Sequence, residues 1–509
     1  MKRTISKKAI SLCAMIFSCS LIIFLAGCAT PPDSSEGKSS SVRIRKQKFS
    51  QEKYNKAVLS ADYGTVIGMI KTENSDAKNP KLNLSIDEGL AYHFSNAYEQ
   101  SADLLYETDL VMQQGLSGRT YVPTLFEAYT MIAMDTLNNY NKVGEAYDKE
   151  DALEDAMTRI RRIAEIQTMY DEYRKQVDEA AKNEENPKSD TYASLVAASQ
   201  VFDIDLVKIF ESAPPKMLPG DRYNDSEFAR LLSVYIRTEY GESSSNFDIK
   251  FLKSPEVIQE AKAASSIPSG KGRLEVFALN GTIAQQKVNE VEFPGKDMNG
   301  KKLYINYEVP YTHDVFPLSF KFSYPGLERT ASGNIKSNSR IDKIKVSVYS
   351  SGGELLDQKQ TILVEDFNES LRKECEYNAN SEFFKNIVAV ISAKYTAVTL
   401  GSNAIEAAYK LLSNNTSDTM STILAQMAYE TAKETFKSSV NEIDKKIVAD
   451  TTHVRVLPEK VSCCGFDLPA GNYMVQVDYF SHNSPIHSEK KSATVTSGKP
   501  VLFESFCMD

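Results

Sequence analysis

The apolar residues of this 509-residue chain change their period near Gly270, and that change limits the fold more than any other feature. Between Phe49 and about Ser266 they recur every three or four residues with few β-branched runs, the spacing of amphipathic helices. Beyond Gly270, Lys271 and Gly272 the period drops to two: Leu274, Val276 and Ala278 alternate with Glu275 and Phe277, and Leu303, Ile305 and Tyr307, then Ile341, Ile344, Val346 and Val348, follow. Turn pairs such as Asn280 with Gly281 and Gly352 with Gly353 separate these runs. Helical spacing returns over about 368–447, where Phe384, Val388, Ile391, Tyr395 and Val398 share one face and Met420, Ile423, Met427, Ala428 and Thr431 share the next. Strands resume with Val454 and Val456, with Tyr473, Val475 and Val477, and with Val495, Val501 and Phe503. The expected fold is α+β and multidomain: an α-helical domain over 49–268, then a β-sandwich or mixed-sheet domain over 270–509 carrying a helical hairpin.

The helical half contains one run with tetratricopeptide spacing. Tyr140, Val143, Gly144, Tyr147, Ala156 and Ile160 match W-x2-L-G-x2-Y…A-x3-F with conservative changes, Gly144 admitting a second helix and Ala156 standing at the crossing. Gly89, Tyr92, Ser101 and Leu105 form a weaker copy, and Ala197, Leu206 and Phe210 a degenerate third. The generic alternative is a helical bundle. Acidic and basic residues from Glu150 to Arg162 read as a solvated helix face with pairs such as Asp155 and Arg159.

At the N-terminus Lys2, Arg3, Lys7 and Lys8 precede an uncharged stretch from Ala9 to Ala26, the form of a secretory signal. Leu25, Ala26, Gly27 and Cys28 resemble a bacterial lipobox, which makes residues 1–27 a signal peptide and Cys28 the lipidated first residue of the mature chain. Two or three acyl chains hold a protein firmly to a bilayer, whereas one is marginal. Ala29 after the cysteine resembles the outer-membrane sorting pattern. Residues 28–48 form a polar tether ending in Arg43, Arg45, Lys46 and Lys48. Loss of four basic residues with the leader takes the net charge from −9 to −13, which excludes a nucleic-acid binder. An oxidising compartment leaves a bridge from Cys463 or Cys464 to Cys507 open, with buried thiols as the alternative.

The short runs Y-N-K-V-G-E-A-Y from Tyr140, G-R-L-E-V-F-A-L-N-G from Gly272, L-V-E-D from Leu363, L-P-E-K-V from Leu457 and L-P-A-G-N-Y from Leu468 together resemble a family of uncharacterised bacterial lipoproteins. That resemblance implies tetratricopeptide-like helices before a β-rich half and a place in the cell envelope; it implies no reaction.

Chemistry is sparse. The chain lacks the G-x-S-x-G elbow, a phosphate loop and zinc-ligand spacing, and His482 and His487 stand five apart in a polar loop, so no cofactor or metal is expected. Glu365 with Asp366 is the one family-like acidic pair, at a strand-to-helix junction where helix capping explains both. The expected function is non-enzymatic: a lipid-anchored envelope scaffold, assembly factor or regulator that binds envelope proteins through its helices. The alternatives are a wall hydrolase using Glu365, Asp366 or the late histidines, and a carrier of an apolar ligand in the β-rich half.

Overall fold

The computed structural model describes residues 48–75, 81–119, 121–143, 148–242, 245–414 and 419–508. Cys28, the leader and the tether to residue 47 lie outside them, as do Gly144 and Tyr147. What is described is mixed α and β, with helices first and sheets after.

Helices α1 (Gln51–Leu59), α2 (Tyr63–Ser75), α3 (Leu82–His93), α4 (Tyr98–Gln113) and α5 (Leu125–Asn141) pack each against the next, and the 36-residue α6 (Lys149–Glu184) lies along α5. Gly89 of α3 meets Leu105 of α4: a Cβ on Gly89 would stand 2.3 Å from Leu105 Cδ2, so any larger residue forces Leu105 to move. Ser101 Oγ seals the crossing by donating to Gly89 O at 2.6 Å. A Thr124–Glu127 capping box starts α5, whose residues Leu125–Tyr140 are all buried. A helix with no wet face must sit at a centre. After α7 (Asp190–Val201) and α8 (Leu206–Glu211), α9 (Glu227–Tyr240) packs on α5 and α6, and α10 (Ser245–Ile249) and α11 (Pro255–Ala264) close the helical half.

Two four-stranded sheets follow. In the first the order is β12 (Pro500–Cys507), β1 (Lys271–Asn280), β9 (Lys460–Pro469), β8 (Ile362–Asp366), with β1 parallel to β12 and antiparallel to β9. The second runs β11 (Ser484–Val495), β10 (Gly471–Ser481), β6 (Lys343–Ser350), β7 (Leu355–Gln360), all antiparallel. Leu274, Val276, Ala278, Phe466 and Phe503 of the first sheet share one apolar cluster with Val346, Val348, Val475 and Val477 of the second. The other face of β1 meets α9, where Phe277 lies edge-on to Phe228. That face also carries Glu275, fully buried beside Arg273, which reaches on to Glu260 and Asp467. Two ribbons, β2 (Gln286–Phe293) with β5 (Phe320–Leu327) and β3 (Ile305–Glu308) with β4 (Val315–Leu318), pack with α7 against a helical hairpin. The hairpin consists of α12 (Phe367–Asn414) and α13 (Thr419–Lys446). Among the described residues α12 alone is long and apolar enough to cross a membrane, and Phe383, Ile387 and Ile391 place its first half in the second core.

Three expectations change. Val454 and Val456 belong to no strand, because carboxylates take the backbone donors a strand would use: Val454 N–H donates to Glu127 at 2.7 Å, and Arg455 and Val456 N–H both donate to Asp87 at 2.7 Å. Arg159 is not solvated but buried against Asp109 and Asp135, and Asp155 pairs with Lys142 instead. On α13 the buried stripe is Ala425, Tyr429, Phe436 and Val440, while Ile423, Met427 and Thr431 face outward. Of the two possibilities left open for the cysteines, the structure holds buried thiols, with no disulfide from Cys463 or Cys464 to Cys507. Cys464 lies opposite Val276 and Cys507 opposite Asn280, four residues along β1 or about 13 Å.

Gly89→Ala should lower stability by about 1–3 kcal/mol despite alanine's better helix propensity, because Leu105 must move; urea unfolding reads it. A second expectation concerns pH. Burial pushes the Asp87 carboxyl up from 3.8 to about 7 and the His453 imidazole down from 6.5 to about 3. Between those unfolded values the native protein holds an extra proton at Asp87, so stability falls as pH rises, and lacks one at His453, so stability falls as pH drops; the two oppose. His453→Gln removes the second effect, and relative to wild type the variant should lose about 1.4 kcal/mol per pH unit from about pH 4.5 to 6. An unchanged slope would show that His453 is not buried in the neutral form.

Candidate functional site

Strand β8 is the terminal strand of the first sheet, and residues Ile362–Asp366 line a cleft of 860 Å³. The opposite wall comes from the helical half, residues 220–227 and 253–256, and the start of α12 closes the end with Glu369, Arg372 and Glu376. An edge strand presents backbone donors and acceptors that no neighbouring strand uses. Leu363, half exposed, stands on that edge.

The corner between β8 and α12 is held by Glu365. Its carboxylate accepts from Ser226 Oγ at 2.6 Å, from Phe228 N at 3.1 Å, from Tyr223 Oη at 3.1 Å and from Ser370 Oγ at 3.0 Å. Ser226 is itself the N-cap of α9 and accepts from Ala229 N, so a carboxylate from the sheet completes the cap of a helix from the other half. Burial raises the Glu365 carboxyl above its usual range, and the four donors pull it back. Asp366, half-buried, accepts from Glu369 N at 3.2 Å at the start of α12. Both oxygens of Glu365 are engaged by the corner it builds, and Asp366 Oδ1 by the start of α12.

Around them the cleft is charged and unequal: eight acidic residues line it against four basic ones. Several are matched internally, as Arg372 is with Glu369 and Glu376, and Arg230 with Asp225. Arg222 stacks on Tyr377 at 4.3 Å, with its Nε 3.7 Å from Glu374, which also meets Arg174. Asp221 and Glu256 have no basic partner within salt-bridge distance among the described residues, which leaves the cleft an acidic rim.

The residues singled out from tetratricopeptide spacing do not converge on this cleft. Tyr140 is buried in the last turn of α5, donating to Glu239 at 2.9 Å and accepting from Leu502 N at 3.1 Å. Val143 lies past the end of α5 and is 51% exposed, so it packs between no helices. Ala156 and Ile160 are buried on α6. His482 sits at the β10–β11 turn with φ 49°, and His487 in β11. Among the described residues no group of three or more His, Cys, Asp or Glu side chains could hold a metal ion. Sequence reasoning passed over Tyr223 and Ser226; a Ser before the apolar run of α9 was the available signal for the second.

Comparison with protein-family models, with curated proteins and with solved structures gives no match to this chain.

Glu365→Ala leaves four buried donors without an acceptor and should cost about 3 kcal/mol or more in urea unfolding, against about 1 kcal/mol for Asp366→Ala, which loses a partly exposed cap. Equal costs would show that Glu365 does not hold the corner.

Proposed function

We propose that this chain is a membrane-anchored cell-envelope lipoprotein, acting as a protein-interaction scaffold or as an assembly or regulatory factor, with no reaction of its own. The lipobox ending at Cys28 supports the anchor and the envelope location, and the sorting residue Ala29 supports the outer membrane. One observation carries the scaffold role: the open edge of β8 forms the floor of the 860 Å³ cleft, with helices on the opposite wall. Such an edge takes an extended segment by strand addition, main-chain hydrogen bonds giving affinity and side-chain pockets giving selection. The acidic rim favours a segment with lysine or arginine.

The finer architecture belongs to the same proposal. A tetratricopeptide-like helical half draws support from the α3–α4 hairpin, where Gly89, Ser101 and Leu105 meet as the weaker repeat copy requires. A β-sandwich draws support from the apolar cluster shared by the two sheets. Membership of the lipoprotein family rests on the short sequence runs alone. Against the hydrolase alternative stands the full engagement of Glu365 by four donors.

Three readouts test the proposal together. Palmitate incorporation should vanish in Cys28→Ala. A photo-reactive side chain at Leu363 should crosslink in intact cells to an envelope protein, and Asp221→Lys with Glu256→Lys should abolish that crosslink. Purified protein should leave muropeptides unchanged; turnover that disappears in Glu365→Gln would overturn the non-enzymatic reading.

A further inference from the structure

The cleft along β8 does not end at Glu376. Met217, Arg372 and Glu376 also line a second recess of 350 Å³, so the two recesses meet across one turn of α12. The apolar lining of the second comes from Pro214 and Pro215, from Tyr324 and Leu327 of β5, and from Ala379 of α12. Asn380 of α12 donates to Pro214 O at 2.8 Å, which ties the proline segment to that helix. Tyr324 stands edge-on to the buried Phe383, ring centres 5.7 Å apart, so its ring is held by the second core.

The sign of the charge reverses from one recess to the other. Eight acidic residues and four basic ones line the first, whereas three basic residues and one acidic line the second. Asp221 and Glu256 belong only to the first; Lys287 and Arg329 belong only to the second. Lys287, on β2, is exposed and pairs with no acid among the described residues. Arg329 donates from Nη2 to Glu376 at 2.9 Å and from Nη1 to Gly333 O at 2.7 Å, yet its side chain stays 42% exposed. Both cations are therefore open to a carboxylate arriving from solvent. Glu369 lines the first recess and Ala379 the second, a distance of about 15 Å along α12. An extended chain advances about 3.3 Å per residue, so four or five residues span it.

We propose that the two recesses together select an extended protein segment with lysine or arginine at one end and a carboxylate four or five residues away, one apolar side chain entering beside Tyr324. This rests on strand addition along β8 and adds to it the partner's charge order. A base beside Asp221 and Glu256 and an acid beside Lys287 and Arg329 are both matched. A segment basic at both ends sets one of them against its own sign, and an uncharged segment gains at neither end.

The test is fluorescence anisotropy with the full chain in detergent and four labelled peptides with blocked termini: Lys-Val-Thr-Val-Phe-Glu, its reverse Glu-Phe-Val-Thr-Val-Lys, the doubly basic Lys-Val-Thr-Val-Phe-Lys and the uncharged Gln-Val-Thr-Val-Phe-Gln. The two mixed peptides cover both strand directions. One of them should bind at least ten-fold more tightly than the doubly basic and the uncharged peptides. Lys287→Glu, a change at an exposed position, should weaken that peptide ten-fold or more and make the doubly basic one the better ligand, with circular dichroism unchanged. Arg329→Gln should weaken the mixed peptide in the same direction. Mixed peptides binding no more tightly than the doubly basic or uncharged ones, or affinities untouched by Lys287→Glu, would overturn the charge order and leave strand addition standing. Binding by none of the four would remove strand addition itself, and this inference with it.

Discussion

Helix α5 has water on no side, so each polar group it carries must be matched inside the protein, and those matches join the helices to the sheets. Glu127 at its start takes the amide of Val454. Asn138 near its end receives one nitrogen of His93, whose other nitrogen meets Glu504 of β12, and Asn141 reaches the second oxygen of the same glutamate. Tyr140 accepts the amide of Leu502. Apolar burial brings these surfaces together without direction; the polar pairs fix their register. Removing one partner from such a set strands the other in a dry interior, which is why the junction is sensitive to single substitutions.

The same arithmetic accounts for two buried junctions. At β8 the buried carboxylate of Glu365 is matched four times over, and its work is to hold a corner. At residues 454–456 the buried acids Glu127 and Asp87 take main-chain amides, and Arg455 lies buried beside Asp87. A carboxylate engaged by four donors is architecture.

The broad division of the chain was legible in its residues, because the change of period at Gly270 reports burial on one helix face before it and on strand faces after it. Detail failed where the deciding partner is distant in sequence. Val454 and Val456 alternate like a strand, yet their amides answer to Glu127 and Asp87, more than three hundred residues earlier. Arg159 has a suitable acid four residues before it and ignores it for Asp109 and Asp135 on other helices. The stronger tetratricopeptide spacing falls across the connection between α5 and α6, whereas the weaker one at Gly89 coincides with a helix crossing, since a small residue against Leu105 is what close approach needs. At the β8 corner the pair Glu365 and Asp366 was visible, but not Tyr223 and Ser226.

If carboxylates on buried helices substitute for a missing strand, the amides they hold should be as inaccessible as those of the sheets. Native-state hydrogen exchange resolves this residue by residue. Protection of Val454, Arg455 and Val456 equal to that of Val276 and Phe277 in β1 is the predicted result; exchange of those three amides at the rate of an exposed loop would contradict the account.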